Sequence, residues 1–432
     1  MARTFDARKA RFKDEFAAFL AEPRGAVDNV VDSVRDILDD VRGNGGEAVA
    51  RYTAKYDRLT LDPTLLQSDN VDIHRLAASC QQDLREAIDF AAARIAIYHE
   101  KQRPEDHQFN DEAGVQLGWR WTALDSVGVY VPGGLASYPS SVLMNVIPAK
   151  LAGVERIVMV APAPGGQLSP AVAYAAISAG VDEYYPIGGA QAIGALAFGS
   201  GRLEPVDKIV GPGNAYVAEA KRQVFGTVGI DTIAGPSEIL VIADDTANAE
   251  WVAADLLSQC EHDNASQAIL LTTCETLAEA VDTAVDNQLE TLETAARAGA
   301  AWSDHGAIVT VSGLDQALDI ANQIAAEHLE LAIADPEALL PHIKHAGAVF
   351  LGHHTPEALG DYVTGSNHVL PTSRAARFSS GLGLIDFLKR MSVQKATPEG
   401  FAALSGAAQR LAEAEGLPAH ARSVSIRTNE KS

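Results

Sequence analysis

The residues best suited to chemistry lie at the end of a predicted helix, in the sequence SQCEHD at 258–263. Gln259 and His262 are three residues apart, so at about 100° per residue their side chains share one ridge of that helix. Cys260 points well away from His262. A side-chain oxygen next to an imidazole can hold a cation, and the carboxylate of Asp263 follows just beyond. On this pattern alone, the alternative is a solvated polar helix end.

A second group of polar residues lies later in the chain, in the sequence AEHLE at 326–330 and at Asp361. The apolar spacing predicts a helix over 314–327, which puts His328 at its C-terminal end beside the Glu327 carboxylate. Both surroundings favour a charged imidazole, so we expect a raised pKa for His328. Such a group suits a general base that accepts an alcohol proton, and a simple capping histidine is the alternative. Asp361, directly after a glycine, is a short carboxylate that can reach a cation.

Three loops that follow predicted strands carry glycines: VPGGLASYP (131–139), PIGGAQAIG (186–194) and VGPGNAYVAEAK (210–221). Glycine lets the backbone approach a ligand closely, and the helix after each loop offers unpaired N–H groups to an anion such as a pyrophosphate. None of the three completes GxGxxG, so the pattern of each loop taken singly favours an ordinary tight turn over a ligand site. Their recurrence in one sheet favours a nucleotide site.

The predicted secondary structure that must position these residues changes near residue 115, from helices alone to alternating strands and helices. Before it, amphipathic runs predict helices, with breaks at the GNGG sequence (43–46) and at Pro104. Beyond it, short strands alternate with helices, which is typical of βαβ units and a mostly parallel sheet. The predicted strands are 127–131, 156–161, 183–187, 208–210, 238–243, 268–272, 307–311, 330–333 and 348–351. The predicted helices after residue 115 are 140–152, 170–179, 190–198, 214–225, one from 246, one reaching about 300, 314–327, 384–393 and 399–415.

This pattern predicts an α/β fold with two Rossmann-like parallel α/β domains, a helical N-terminal segment and a small helical C-terminal tail domain. We expect the helical N-terminal region at 1–110, packed partly on the second α/β domain. The first α/β domain, with the glycine loops, spans 115–236, and the second, with the metal and catalytic residues, spans 237–380. The tail at 381–432 has few large apolar residues, so we expect it to pack on another domain or a second subunit.

Composition excludes several classes of protein. The chain has 432 residues, is 47% hydrophobic and carries a formal charge of −23, which disfavours nucleic acid or an anionic membrane as a partner. No window approaches the roughly 18 apolar residues of a membrane span, and the first twenty residues do not resemble a signal peptide. Three scattered cysteines predict a reduced state. We therefore expect a cytoplasmic protein.

Taken together, the motifs resemble histidinol dehydrogenase, the family that closes histidine biosynthesis, along nearly the whole chain. The strings that carry the resemblance are YPSSVLMNVIPAKLAGV, GGAQAIGALAFG, KIVGPGNAYVAEAKRQV, AGPSEIL, SQCEHD, AAEHLEL, LGDYVTGSNHVLPT, ARFSSGLGL and EGLPAHARSVSIR.

The resemblance implies oxidation of L-histidinol to L-histidinal and then to L-histidine, with two NAD⁺ reduced in succession. It further implies one Zn²⁺ per subunit and a homodimer whose C-terminal tail reaches into the partner's site. The zinc ligands that it implies are Gln259, His262, Asp361 and His420. The catalytic pair is Glu327 and His328, and the NAD contacts are Tyr130, Gln191 and Asn214. Substrate contacts are Ser237, Gln259, His262, His328, Asp361, Glu415 and His420.

Three other functions are compatible with parts of the pattern. A dehydrogenase of the same family, dependent on NAD and zinc, could oxidise a different small alcohol, although Glu415 in its EGLPAH context matches the histidinol pattern. A zinc hydrolase would use Gln259, His262, Asp361 and Glu327, but it would not need three glycine loops. A non-catalytic binding protein would have no reason to keep Glu327 and His328 beside a metal.

Overall fold

Two parallel sheets and one small antiparallel sheet organise the chain in the computed structural model, which describes residues 2–24, 30–68, 71–133, 138–233 and 235–428. Helices cover the faces of both parallel sheets. The predicted α/β class with two parallel sheets is confirmed.

The region before residue 124 supplies strands to two of the three sheets and helices that pack on the third. Its elements are β1 (Arg3–Asp6), α1 (Phe12–Ala21), α2 (Val31–Asp57), α3 (Ile73–Ala78), α4 (Gln82–Glu100), β2 (His107–Asn110) and β3 (Val115–Ala123). The expectation of helices alone over 1–110 is wrong at β1 and β2. Strand β1 pairs with a strand at 307–310, far away in sequence, and β2 forms an antiparallel pair with the neighbouring β3. The predicted break at GNGG is a kink in α2, where Gly45 has φ +52°.

The first parallel sheet contains the glycine loops. Its elements are β4 (Ser126–Tyr130), α5 (Pro139–Ala152), β5 (Arg156–Val160), α6 (Pro170–Ala179), β6 (Glu183–Tyr185), α7 (Gly189–Phe198), β7 (Lys208–Val210), α8 (Ala215–Val224) and β8 (Gly229–Ile230). The strand order is β6-β5-β4-β7-β8, and every pair is parallel. The chain therefore reverses its winding between β4 and β7, where open α/β sheets bind ligands.

Apolar residues cover both faces of this sheet. Helices α2, α7 and α8 supply one layer, and α4, α5 and α6 supply the other. Because buried residues fasten each helix to the sheet, the loops at its ends keep fixed positions relative to the strands.

The second parallel sheet begins with β9 (Glu238–Ala243) and has the order β1-β11-β10-β9-β12-β13. Its further elements are α9 (Ala249–Cys260), β10 (Gln267–Thr272), α10 (Glu275–Leu289), α11 (Ala295–His305), β11 (Ala307–Thr310), α12 (Leu314–Ile324), β12 (His328–Ala332), α13 (Pro336–Leu339), β13 (Ala348–Leu351) and α14 (Glu357–Tyr362). The helix predicted to reach residue 300 is two helices, α10 and α11. Helix α12 ends three residues earlier than predicted, because Ala325 adopts a left-handed conformation with φ +53°.

The C-terminal segment differs from the prediction over its first ten residues. A short 3₁₀ turn at Leu384–Phe387 leads into β14 (Leu388–Ala396), which replaces the helix predicted for 384–393. Strand β14 pairs antiparallel with all nine residues of β3, a partner more than 250 residues away that local periodicity does not reveal. Two helices then follow, α15 (Pro398–Ala414) and α16 (Pro418–Thr428).

None of the helices in the described ranges is long and apolar enough to cross a membrane.

Candidate active site

Glu327 and His328 lie at the amino end of β12, where the backbone of one residue in the neighbouring strand, Glu238, contacts both side chains. The backbone N–H of Glu238 donates to Oε2 of Glu327 at 3.0 Å. The backbone C=O of Glu238 lies 2.9 Å from Nδ1 of His328 and can only accept a hydrogen bond. His328 must therefore carry its proton on Nδ1, which leaves Nε2 as an unprotonated base. Parallel pairing of β9 with β12 creates this arrangement.

The environment of His328 is different from the one expected. It begins a strand instead of ending a helix, so no helix dipole acts on it. Burial is the largest influence and lowers the pKa of His328 to about 4, although the nearby Asp361 charge opposes this shift. The prediction of a raised pKa is therefore wrong. The imidazole is neutral near pH 7 and ready to accept a proton at Nε2.

Glu327 is buried to 7% exposure beside this imidazole, and its Oε2 lies 3.8 Å from Nδ1 of His328. Burial raises the pKa of Glu327 well above its ordinary value, while the hydrogen bond from the Glu238 backbone opposes that rise. A carboxyl group in this setting can exchange a proton with a bound ligand or water.

A group of potential metal ligands lies in front of Nε2 of His328. Side-chain ligand atoms of His262, Glu357 and Asp361 all fall within 4.8 Å of one another. Nε2 of His328 has no hydrogen-bond partner among the described residues. The nearest carboxylate oxygens are Oε1 of Glu357 at 3.8 Å and Oδ1 of Asp361 at 4.0 Å. Nitrogen and oxygen donors gathered around unpartnered atoms fit a zinc ion.

Gln259 fits the same role. It lies one turn before His262 on α9, is 1% exposed, and its Oε1 has no hydrogen-bond partner among the described residues. A buried amide oxygen without a partner is costly, so a cation beside it would satisfy a group that the protein leaves open.

The two residues between Gln259 and His262 face elsewhere. Glu261 accepts a hydrogen bond at 2.6 Å from the hydroxyl of Thr294 on the far side of the helix. Cys260 is fully buried in the apolar layer under α9, and burial raises the pKa of its thiol to about 12. The helical ridge argument therefore holds, since the thiol points into the core.

Sequence reasoning missed Glu357 and His368. Glu357 is 1% exposed, accepts a hydrogen bond from Oγ of Ser258 at 3.3 Å, and has a pKa raised to about 9 by burial and then by the Asp361 charge. His368 approaches the backbone C=O of Asp361 with Nδ1 at 3.0 Å. Glu357 could have been found, because it precedes Asp361 by four residues, the spacing of one helix face. His368 has no comparable local signal.

The predicted NAD contacts lie at the carboxyl edge of the first sheet. Tyr130 ends β4, and its hydroxyl accepts a hydrogen bond at 3.1 Å from the N–H of Gly189 in the second glycine loop. Gln191 is 2% exposed near the start of α7. Asn214 caps α8, with Oδ1 accepting from the N–H groups of two residues in its first turn at 3.1 and 3.2 Å. Residues 134–137 of the first glycine loop lie outside the described residues.

One cavity lies between this edge and the side chain of Glu327. It has a volume of about 80 Å³ and is lined by Gly211 of the third glycine loop as well as by Ser237, Glu327 and His368. The carboxyl edge of the first sheet therefore faces the amino edge of the second.

Of the predicted metal and substrate contacts, Glu415 and His420 lie apart from the group of His262, Glu357 and Asp361 in the single chain. Both are exposed, Glu415 directly after α15 and His420 on α16, and these two helices pack on each other. Neither side chain makes a hydrogen bond or ion pair to another described residue.

The family model of histidinol dehydrogenase matches residues 20–428. The chain is similar to the histidinol dehydrogenases of Bradyrhizobium diazoefficiens, at 55% identity over 98% of both chains, and of Agrobacterium fabrum, at 55% identity over 100% of both chains. The crystal structure of histidinol dehydrogenase from Elizabethkingia anophelis superposes with a TM-score of 0.93 and 37% identity, covering 99% of this chain and 98% of the other.

Proposed function

Since this chain belongs to the histidinol dehydrogenase family, we propose that it oxidises L-histidinol to L-histidine through L-histidinal and reduces two NAD⁺ in doing so. The reaction closes histidine biosynthesis, a role that suits the cytoplasmic location expected from the sequence. The observation that carries the proposal is the cavity that Gly211 and Glu327 line together, because it joins a nucleotide-type loop to a buried acid–base pair.

Zn²⁺ would be held by Gln259, His262 and Asp361, with His420 supplied by a second subunit. The buried unpartnered oxygen of Gln259 and the cluster of His262 with Asp361 support this assignment. When bound, zinc would supply a Lewis acid that anchors and polarises the amino alcohol. Ser237, His328 and the partner-supplied Glu415 would complete the substrate contacts.

NAD⁺ would occupy the carboxyl edge of the first sheet and accept a hydride in each oxidation. The contacts would be Tyr130, Gln191 and Asn214. Two observations support these contacts. The hydroxyl of Tyr130 is held by a hydrogen bond at the point where the strand order reverses, and a helix N-terminus follows each glycine loop.

In the first oxidation, His328 would accept the alcohol proton at Nε2. The hydrogen bond of Nδ1 with the Glu238 carbonyl supports this role, because it keeps the opposite nitrogen free and would stabilise the imidazolium that forms.

In the second oxidation, Glu327 would take a proton from the water that attacks the aldehyde. His328 would again accept a proton as the resulting hydrate is oxidised. The burial of both residues supports retention of the reactive aldehyde between the two steps, since free exchange with water would release it.

The experiment is a count of products. Zinc-loaded enzyme is mixed with L-histidinol and NAD⁺, NADH is followed at about 340 nm, and histidine is quantified by chromatography. We expect two NADH for each histidine and no free aldehyde in solution. A ratio near one with accumulating histidinal would contradict the two-step proposal, and turnover of another alcohol in preference to histidinol would contradict the substrate.

A further inference from the structure

A buried ion pair lies beneath the third glycine loop, at a position that the proposed chemistry does not use. Lys221 on α8 and Asp231, just after β8, meet in a close contact, and each side chain is only 3% exposed. Both also line the cavity that contains Glu327.

The two charged groups hold a single residue of the loop. The N–H of Gly211 donates to Oδ2 of Asp231 at 2.7 Å, and Nζ of Lys221 donates to the C=O of Gly211 at 3.0 Å. The backbone of Tyr130 occupies the space where a side chain at position 211 would lie. A Cβ added to Gly211 would be 2.1 Å from the Tyr130 carbonyl oxygen. With φ at +107°, the position also requires a backbone that other residues rarely adopt. Gly211, at the start of the turn, is therefore held by Asp231, Lys221 and Tyr130 together.

Stability alone does not explain this pair. Taking two charges out of water is costly, and replacing such pairs by apolar residues is often neutral or even stabilising. Here, however, the two charged groups form hydrogen bonds with the two peptide groups that flank the Cα of Gly211, at the start of the turn that ends in Asn214. An apolar pair cannot make these hydrogen bonds.

We propose that Lys221 and Asp231 are positioning residues for the dinucleotide, which lock the turn at 211–214 in the conformation that receives it. This inference rests on the proposed use of NAD⁺. Because the same cavity wall contains Glu327, a displaced turn would weaken nucleotide binding and disturb hydride transfer, while zinc and histidinol contacts on the second sheet would remain intact.

The test uses the full-length, zinc-loaded enzyme and the double variant Lys221→Met/Asp231→Leu, which removes both charges without leaving one unpaired. We expect the dissociation constant for NAD⁺, measured by calorimetry, to rise about tenfold or more, as for loss of a charge-assisted hydrogen bond. The KM for NAD⁺ should rise with it. Zinc content and the KM for histidinol should stay within about twofold.

A matched control is available in the same sheet. Lys150 pairs with Asp182 at 2.8 Å, and Oδ2 of Asp182 also accepts a backbone N–H, from Ile157 at 2.7 Å. The variant Lys150→Met/Asp182→Leu removes a more exposed pair with the same kind of backbone contact, away from the cavity lining. It should leave NAD⁺ affinity unchanged.

If the double variant does not fold, Asp231→Asn keeps an oxygen for Gly211 but weakens the ion pair, and a smaller rise in the NAD⁺ dissociation constant is expected. Unchanged NAD⁺ affinity in a folded variant would overturn the inference. So would equal losses for NAD⁺ and histidinol accompanied by a lower melting temperature, since that is the signature of a general structural role. A wild-type enzyme that binds zinc and histidinol but no NAD⁺ would instead overturn the proposed function.

Discussion

At the scale of single residues, Glu238 links the proposed catalytic pair, Glu327 and His328, to the rest of the fold. Its backbone N–H and C=O contact Glu327 and His328, and its own carboxylate is fastened by a close ion pair with Arg24 and by the N–H of Ser373 at 3.3 Å. Main-chain groups move little, so both reactive side chains are held in fixed orientations before substrate arrives.

His328 is proposed to act in both oxidations and Glu327 in the second alone, and substitutions of each can test this. We expect His328→Gln to suppress both oxidations, because each requires a base that accepts a proton as hydride leaves. Glu327→Gln should reduce oxidation of the aldehyde more than oxidation of the alcohol, since only the aldehyde step consumes water. Losses of roughly a hundredfold or more are typical for such groups, and the variants are compared by supplying either histidinol or histidinal with NAD⁺.

Zinc content and circular dichroism of each variant provide the control for this comparison. Equal losses on both substrates for Glu327→Gln would refute the division of labour between the two residues, although not the location of the site.

Glu330 leads to a prediction about pH and stability. It is 2% exposed beside Asp255, and burial followed by that neighbouring charge raises its pKa to about 10. The folded chain therefore keeps a proton that the unfolded chain releases above about pH 4.3, and the free energy of unfolding falls as pH rises between those values. We expect Glu330→Gln, which needs no proton, to gain stability relative to wild type by up to about 1.4 kcal/mol per pH unit.

Thermal melts between pH 5 and about 8, where most proteins are tractable, measure this difference. Glu279→Gln, on the exposed face of α10, is the control and should track wild type at each pH. A constant difference between Glu330→Gln and wild type across the range would show that Glu330 does not hold the proton.

At the scale of elements, the proposed zinc ligands belong to segments that other contacts already stabilise. Helix α9 buries its apolar face between β9, β10 and α10, and α14 packs against α9. We therefore expect chelation of zinc to abolish turnover while far-ultraviolet circular dichroism stays near that of the loaded enzyme, and readdition of zinc to restore activity.

Full activity in verified metal-free enzyme would rule out the proposed metal site. Global unfolding on chelation would instead make zinc a structural component, as in small domains that fold only around their metal.

At the scale of the whole molecule, the C-terminal helices give the assembly prediction. His420 and Glu415 are exposed, and α15 and α16 pack mainly on each other and on β14. If these residues complete the site of a partner subunit, a mixed dimer of His420→Asn and His262→Asn chains should regain roughly half of the wild-type activity, because one of its two sites is intact. Each variant alone should be inactive.

Tandem affinity tags on the two chains isolate the mixed dimer for the activity assay. An inactive, verified mixed dimer would mean that His420 closes the site within its own chain, and the exchanged-tail arrangement would be wrong.

Much of this protein was readable from local sequence. Alternating apolar strands and helices identified both parallel sheets, because these strands are buried on both faces and carry a strong apolar signal. The strands at 208–210 and 238–243 and the helix at 170–179 match the predicted bounds. Helical spacing also separated Gln259 and His262 from Cys260, since that depends only on the geometry of one helix.

Tertiary structure decided what depends on distant partners. Strand β14 was predicted as a helix because its partner β3 lies far away in sequence, and β1 depends on β11 in the same way. His328 was expected at a helix end with a raised pKa, but burial lowers that pKa, and burial is a property of the assembled core. Likewise, only the folded chain brings Gly211 and Glu327 to one cavity, because the two sheets meet edge to edge through contacts that no local pattern encodes.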